Sequence, residues 1–168
     1  MAFEETNPWA AYFAQEAEKR KAAVAKAKEK AAATIAYRMN KPQCIVDLES
    51  MYAARGVRKV YDDRTANGLT AFILDWLEAH GHYGARINLG GIYLADKGYY
   101  RRSGSTDGVA DTIACINGRF CQFEVKAGKD RPRPDQLRQQ QLTRSAGGIY
   151  EFVHNAEEFC RFVSLLKA

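Results

Sequence analysis

The chain has 168 residues, a one-domain length with room for an added arm. Hydrophobic residues make up 46% and charged residues 27%, which allows a buried core and argues against wholesale disorder. No run approaches the roughly 20 apolar residues of a membrane span, no apolar secretion-signal segment opens the chain, and a net charge of +5 suits a polyanionic partner.

In chain order, Pro8 to about Arg38 is Ala, Lys and Glu, all strong helix formers. Thr6 or Asn7 caps this helix and Pro8 suits its first position. About thirty residues span roughly 45 Å at 1.5 Å each. Its middle, Glu16 to Lys30, has almost no apolar stripe beyond alanine and Val24, so the helix reads first as a solvated arm. A coiled coil or a docking helix for a protein partner, and a nucleic-acid-binding arm, are the sharper readings. Pro42 ends it, Ile45 to Arg55 is a short second helix, and Val57 to Asp63 connects. The expected division is an arm with connector over 1–64 and a compact domain over 65–168.

Within that domain Leu69, Phe72, Ile73, Trp76 and Leu77 recur at helical spacing and predict an amphipathic helix over Thr70 to His80. Tyr83 to Leu89 is a strand, and Gly90 to Thr106 is a Gly-, Tyr- and Ser-rich loop. Val109 to Asn117 and Arg119 to Ala127 are strands around Asn117-Gly118, a strong two-residue hairpin signal. Pro134 to Ser145 is a Gln-rich helix, Ile149 to Val153 a strand, and Ala156 to Leu166 a closing helix capped by Asn155. The order α, β, β, β, α, β, α predicts a mixed α/β domain. Cys44, Cys115, Cys121 and Cys160 lack C-x-x-C spacing, so neither zinc nor a disulfide framework is expected and a reducing, cytoplasmic setting fits. His80, His82 and His154 show no ligand spacing beyond His80-x-His82, and no Ser-His-Asp arrangement or phosphate-binding Gly loop is evident.

The hairpin carries the chemistry. A two-residue turn at Asn117-Gly118 pairs Ile116 with Arg119 and, five steps on, Asp111 with Glu124. Directly opposed residues share a face, with Cβ atoms about 4.5–5.5 Å apart. Lys126, two residues beyond Glu124, shares that face too. Opposed carboxylates repel, and a hard cation such as Mg²⁺ compensates, since it takes oxygen ligands from one or two carboxylates plus water and phosphate. Lys126 adds a point charge for a phosphate oxygen. Two carboxylates, a metal and a lysine suit phosphodiester hydrolysis. The plainer reading is a surface hairpin with Asp111 paired to Lys126 and Glu124 solvated.

Asp111, twelve intervening residues, then Glu124-Val125-Lys126, within GVADTIACINGRFCQFEVKAGKDRPRPDQ, resembles the PD-(D/E)XK nuclease motif. The wording is similar to the VRR-NUC and Holliday-junction-resolvase-like members, many of them in phages, and the resemblance covers roughly Thr65 to Leu166. It implies a restriction-endonuclease-like αβββαβ core, a mixed sheet flanked by helices. It makes Asp111 and Glu124 metal ligands with the Val125 carbonyl a third, and Lys126 the catalytic lysine. It gives Gln136 the task of orienting water or phosphate, where the plainer reading is a solvated residue of the first helical turn. Many members carry a further Glu on the preceding helix, but Thr65 to Thr70 holds no acid. Asn67 would position a metal-coordinated water there, or merely cap the helix. The missing acid puts a two-metal mechanism in doubt.

Between Arg86 and Arg144 eleven Lys and Arg residues stand against six acids, a net +5 around the site, as phosphate binding requires. Arg101 and Arg102, beside Tyr99 and Tyr100, and Lys129, Arg131 and Arg133 after the hairpin form the expected DNA-facing rim. No base-reading motif is present, so backbone or structure recognition is expected. The resemblance thus implies an Mg²⁺- or Mn²⁺-dependent DNA endonuclease leaving a 5′-phosphate, structure-selective, in phage or mobile-element DNA processing and so in the host cytoplasm. Many relatives act as dimers, so a homodimer is a further expectation. The rival is a catalytically weak nucleic-acid-binding or assembly protein that keeps the fold.

Overall fold

Alanine, lysine and glutamate form one 30-residue helix, α1 (Ala10–Met39). The computed structural model describes residues 10–87, 92–96, 98–101 and 106–167; Thr6, Asn7 and Pro8, the expected helix start, lie outside them. Along α1 the side chains of Tyr12, Phe13, Val24, Ile35 and Met39 are exposed. Lys19 pairs with Glu16 and Lys21 with Glu18, each at 2.9 Å and three residues apart.

The chain divides into two units, Met1–Lys41 and Pro42–Ala168. The second starts with α2 (Gln43–Ala54), which buries Ile45, Leu48 and Tyr52 along one side. Tyr61, in the connector that follows, is buried as well. The boundary expected after residue 64 therefore moves to 41/42, because the stretch 42–64 supplies apolar side chains that the core needs. Helix α3 (Ala66–Ala79) begins four residues before the expected Thr70, since Thr65 caps it by accepting from the Gly68 N–H at 3.1 Å.

Strand β1 (Tyr83–Arg86) follows. The segment expected as a loop contains β2 (Ile92–Leu94) and β3 (Tyr99–Arg101), a separate antiparallel pair. Its Ile and Tyr residues favour strand, a signal diluted in the sequence by the glycines and serines around them. Strands β4 (Thr112–Ile116) and β5 (Arg119–Val125) form the predicted hairpin, with register from Ile116↔Arg119 to Thr112↔Phe123. Both turn residues have positive φ, 51° at Asn117 and 77° at Gly118, as a type I′ turn requires. Helix α4 (Pro134–Ser145) then crosses to β6 (Ile149–Val153), which runs parallel to β5. Helix α5 (Ala156–Ser164) is capped by Asn155, which accepts from the Glu158 N–H at 2.8 Å, and one 3₁₀ turn (Leu165–Lys167) replaces its expected last residues.

The sheet order β1-β4-β5-β6 is mixed, giving an α/β architecture. Ala114, Ile116, Cys121, Phe123, Val125 and Val153 of one face join the core with α2, α3 and α5. Phe159 of α5 makes edge-on contacts to Phe72 (6.2 Å between centroids), Trp76 (5.3 Å) and Phe123 (5.1 Å). Alternation leaves Gln122, Glu124 and Tyr150 on the opposite face, toward α4. Among the described residues no helix is long and apolar enough to cross a membrane.

Candidate active site

The cluster forms where β4 ends. The β4–β5 ladder stops at Thr112↔Phe123, and one step further the Asp111 side chain takes over: its Oδ2 accepts the Val125 N–H at 3.0 Å. The Asp111 carbonyl accepts from the Ile87 N–H at 2.8 Å, so the backbone of this residue is fixed to the continuation of β1. Glu124, next to Val125 on β5, is 4% exposed and Lys126 is 1% exposed. Lys126 Nζ lies 3.1 Å from Glu124 Oε1 and 3.1 Å from Asp130 Oδ2. Gln136 Nε2 donates to the same Glu124 Oε1. Burial pushes the Glu124 carboxyl above its ordinary range, the Asp111 charge adds to this, and Lys126 opposes it. Lys126 holds the Asp130 carboxyl below its usual range.

Helix α4 is held over this face by polar contacts rather than by an apolar stripe. Of its side chains only Gln136 and Thr143 are buried, while Leu137 and Leu142 are exposed. Gln136 Oε1 accepts the Arg133 N–H at 2.9 Å, which fixes the amide so that its nitrogen meets Glu124. Gln122 Nε2 donates to Thr143 Oγ1 at 3.0 Å, and Gln140 Nε2 to the Tyr150 carbonyl at 3.1 Å. The Tyr150 hydroxyl donates to the Gly108 carbonyl at 3.0 Å; burial, with the charges of Glu124 and Asp111, pushes its pKa up and keeps it a donor. Gly108 has φ +83°, and a Cβ there would lie 2.2 Å from the Asp135 carbonyl oxygen. Only glycine lets the strand lead-in pass this close to the first turn of α4.

Asp111, Glu124, Lys126 and Gln136 therefore meet, with the Val125 backbone between them, and the solvated-residue reading of Gln136 does not hold. Lys126 pairs with Glu124 and Asp130, not with Asp111 as the plainer hairpin reading had it. Asn67 has Arg86 as its hydrogen-bond partner, accepting from Nη2 at 2.9 Å. It sits in the first turn of α3 and does not cap it. Arg86 pairs with Thr112, whose side chain points to the face opposite Glu124. Lys129, Arg131 and Arg133 are exposed on the segment between β5 and α4, with the positive charge of Arg133 near enough to favour ionised Glu124. The Arg101 side chain and Arg102 lie outside the described residues. Sequence reasoning missed Asp130, Gln122, Gln140 and Tyr150. Asp130 has a findable signal in standing four residues after Lys126; the other three act through tertiary contacts that no spacing reveals.

No family model, curated protein or solved structure matches this chain. What the site can hold follows from its donor set. Among the described residues nothing hydrogen-bonds to Asp111 Oδ1 or Glu124 Oε2, and no group of three His, Cys, Asp or Glu residues is placed to hold a metal. Two carboxylates with free oxygens, one of them desolvated, fit a single hard divalent cation that completes its shell with water.

Proposed function

We propose that the chain is a metal-dependent nuclease that hydrolyses phosphodiester bonds in DNA, on a PD-(D/E)XK-type core formed by the succession α3, β1, β4, β5, α4, β6. The observation that carries this reading is the buried Glu124 shared by the Lys126 ammonium and the Gln136 amide, with the Asp111 carboxylate one strand away. Burying an ion pair is costly, and apolar residues of similar volume usually stabilise a core better. A charged row kept on a strand beneath a helix start is economical only if the charges act on something.

Asp111 and Glu124 would hold Mg²⁺ or Mn²⁺, with the Val125 carbonyl as a further oxygen. When bound, the cation supplies a more acidic water and neutralises charge developing on the phosphoryl group. Lys126 presents its ammonium to a phosphate oxygen, its position set by Glu124. Gln136 keeps Glu124 in one orientation. Arg131 and Arg133, with Lys129, offer the backbone phosphates a positive approach. Phage or mobile-element DNA processing, in the host cytoplasm, is the setting this reading suggests.

The test is cleavage of labelled linear, flap and four-way-junction DNA with Mg²⁺, Mn²⁺ or EDTA. Metal-dependent cutting, reduced at least roughly a hundredfold by Glu124→Ala and by Lys126→Ala, supports the enzyme. The second reading, a nucleic-acid-binding or assembly protein, is favoured by the lack of an acid from Thr65 to Thr70 at the start of α3. Binding that survives EDTA, with no cutting under any metal, selects it.

A further inference from the structure

Lys126 is buried, but one of its two partners is not. The Glu124 side chain is 6% exposed and that of Asp130 is 56% exposed. Glu124 stands on β5, inside the sheet, and is fixed from α4 by Gln136. Asp130 belongs to the segment between β5 and α4, held by a turn bond from its own N–H to the Ala127 carbonyl at 3.3 Å and entered through Gly128 at φ +65°. The side of the ammonium not occupied by Glu124 is thus closed by a carboxylate on an exposed loop.

The Asp130 carboxylate also resembles a phosphate in how it is held. One oxygen sits on Lys126 Nζ at 3.1 Å and the other accepts the Arg131 N–H at 2.9 Å. An ammonium and a backbone N–H gripping two oxygens of one anion is a phosphate-binding arrangement. Lys126 is 1% exposed and its ammonium is shared by two carboxylates, so a phosphate reaching Nζ from solvent competes with Asp130, the exposed partner.

We propose that Asp130 is an anionic placeholder: it occupies the Lys126 ammonium and the Arg131 N–H until a nucleic-acid phosphate displaces it. The proposal rests on the nuclease reading of this site. Asp130 is then a positioning residue acting through Lys126, holding the ammonium beside Glu124 in the free protein at some expense in affinity. Displacement is feasible because the incoming phosphate replaces the carboxylate that leaves, so the buried ammonium is never left unpaired.

The experiment measures the Kd of a labelled DNA duplex in EDTA, and KM and kcat in Mg²⁺, for wild type, Asp130→Asn, Asp130→Glu, Lys126→Met and the double variant Asp130→Asn/Lys126→Met. Asp130→Asn lowers both Kd and KM by roughly threefold to tenfold and leaves kcat within about twofold. Asp130→Glu, which keeps the charge, returns both toward wild type. In the Lys126→Met background the Asp130→Asn change shrinks to less than about twofold. Equal tightening with and without Lys126 overturns the proposal, because it would reflect only one negative charge fewer near DNA. A fall in kcat with KM unmoved overturns it too, since Asp130 would then be a ligand or a structural prop. Should Lys126→Met not fold, Lys126→Gln supplies the same comparison. A wild type that cuts nothing under any metal removes the nuclease reading, while the binding comparison in EDTA still decides the placeholder; absence of DNA binding in every variant overturns both.

Discussion

Burial works against the ionisation of Glu124. Its carboxyl is raised by burial first and by Asp111 second, so the folded protein holds the proton to higher pH than the unfolded chain. Stability from this group is present below the ordinary carboxyl value near 4.5 and is lost as pH rises above it toward the higher folded value. Glu124→Gln keeps the shape and cannot ionise. The melting temperature of wild type minus that of Glu124→Gln therefore falls as pH is raised from about 4.5 to 7; a difference that rises with pH would mean that Lys126 outweighs burial. At the proposed metal site a divalent cation would offset this penalty. At ten times its Kd, Mg²⁺ or Mn²⁺ stabilises wild type by about 1.4 kcal/mol, or about 3–6 °C for a domain of this size. Asp111→Asn and Glu124→Gln lose that shift. An undiminished shift in both would place the cation elsewhere.

At the scale of elements, the site depends on how α4 meets the strand lead-in. Gly108 is the contact, with positive φ and the Asp135 carbonyl where a Cβ would stand. Gly108→Ala costs about 1–3 kcal/mol for the backbone conformation alone, and the clash adds to it by pushing on the turn that carries Gln136. The expected outcome is a lower melting temperature together with reduced cleavage, whereas Gly118→Ala, in the open hairpin turn with nothing within 4 Å of its Cβ, lowers stability without touching the cluster. Equal activity in the two variants would show that α4 does not need that close approach. The β4–β5 register is legible in the sequence because turn type dictates pairing, and pairing dictates which side chains share a face. Helix α4 was readable as a helix, from Pro134 and the run of helix formers, but its docking was not. An apolar stripe announces where it packs; a glutamine does not, and Gln122, Gln136 and Gln140 do this work through specific hydrogen bonds. The β2–β3 pair escaped because its two strands have three residues each, too short for alternation to stand out.

For the whole molecule, the boundary between arm and domain has a direct energetic consequence. Ile45, Leu48, Tyr52 and Tyr61 are buried within the second unit. At about 1.5–3 kcal/mol for each large apolar side chain, their loss removes about 6–12 kcal/mol, comparable with the whole stability of a typical domain. Asp63 belongs to the same stretch: 4% exposed, it accepts the Ala156 N–H at 2.9 Å at the start of α5. A chain beginning at Thr65, where composition alone would place the cut, should therefore fail to fold, with no cooperative thermal transition and Trp76 fluorescence at the red-shifted position of a solvated indole. A chain beginning at Pro42 keeps every one of these contacts and should unfold cooperatively with Trp76, 6% exposed in the fold, emitting as a buried ring. In that shorter chain metal-dependent cleavage should persist, because Asp111, Glu124, Lys126 and Gln136 all lie beyond Pro42. Cooperative unfolding of the chain from Thr65 would return the boundary to the connector, and loss of cleavage in a well-folded chain from Pro42 would make α1 a working part of the nuclease rather than an appended helix.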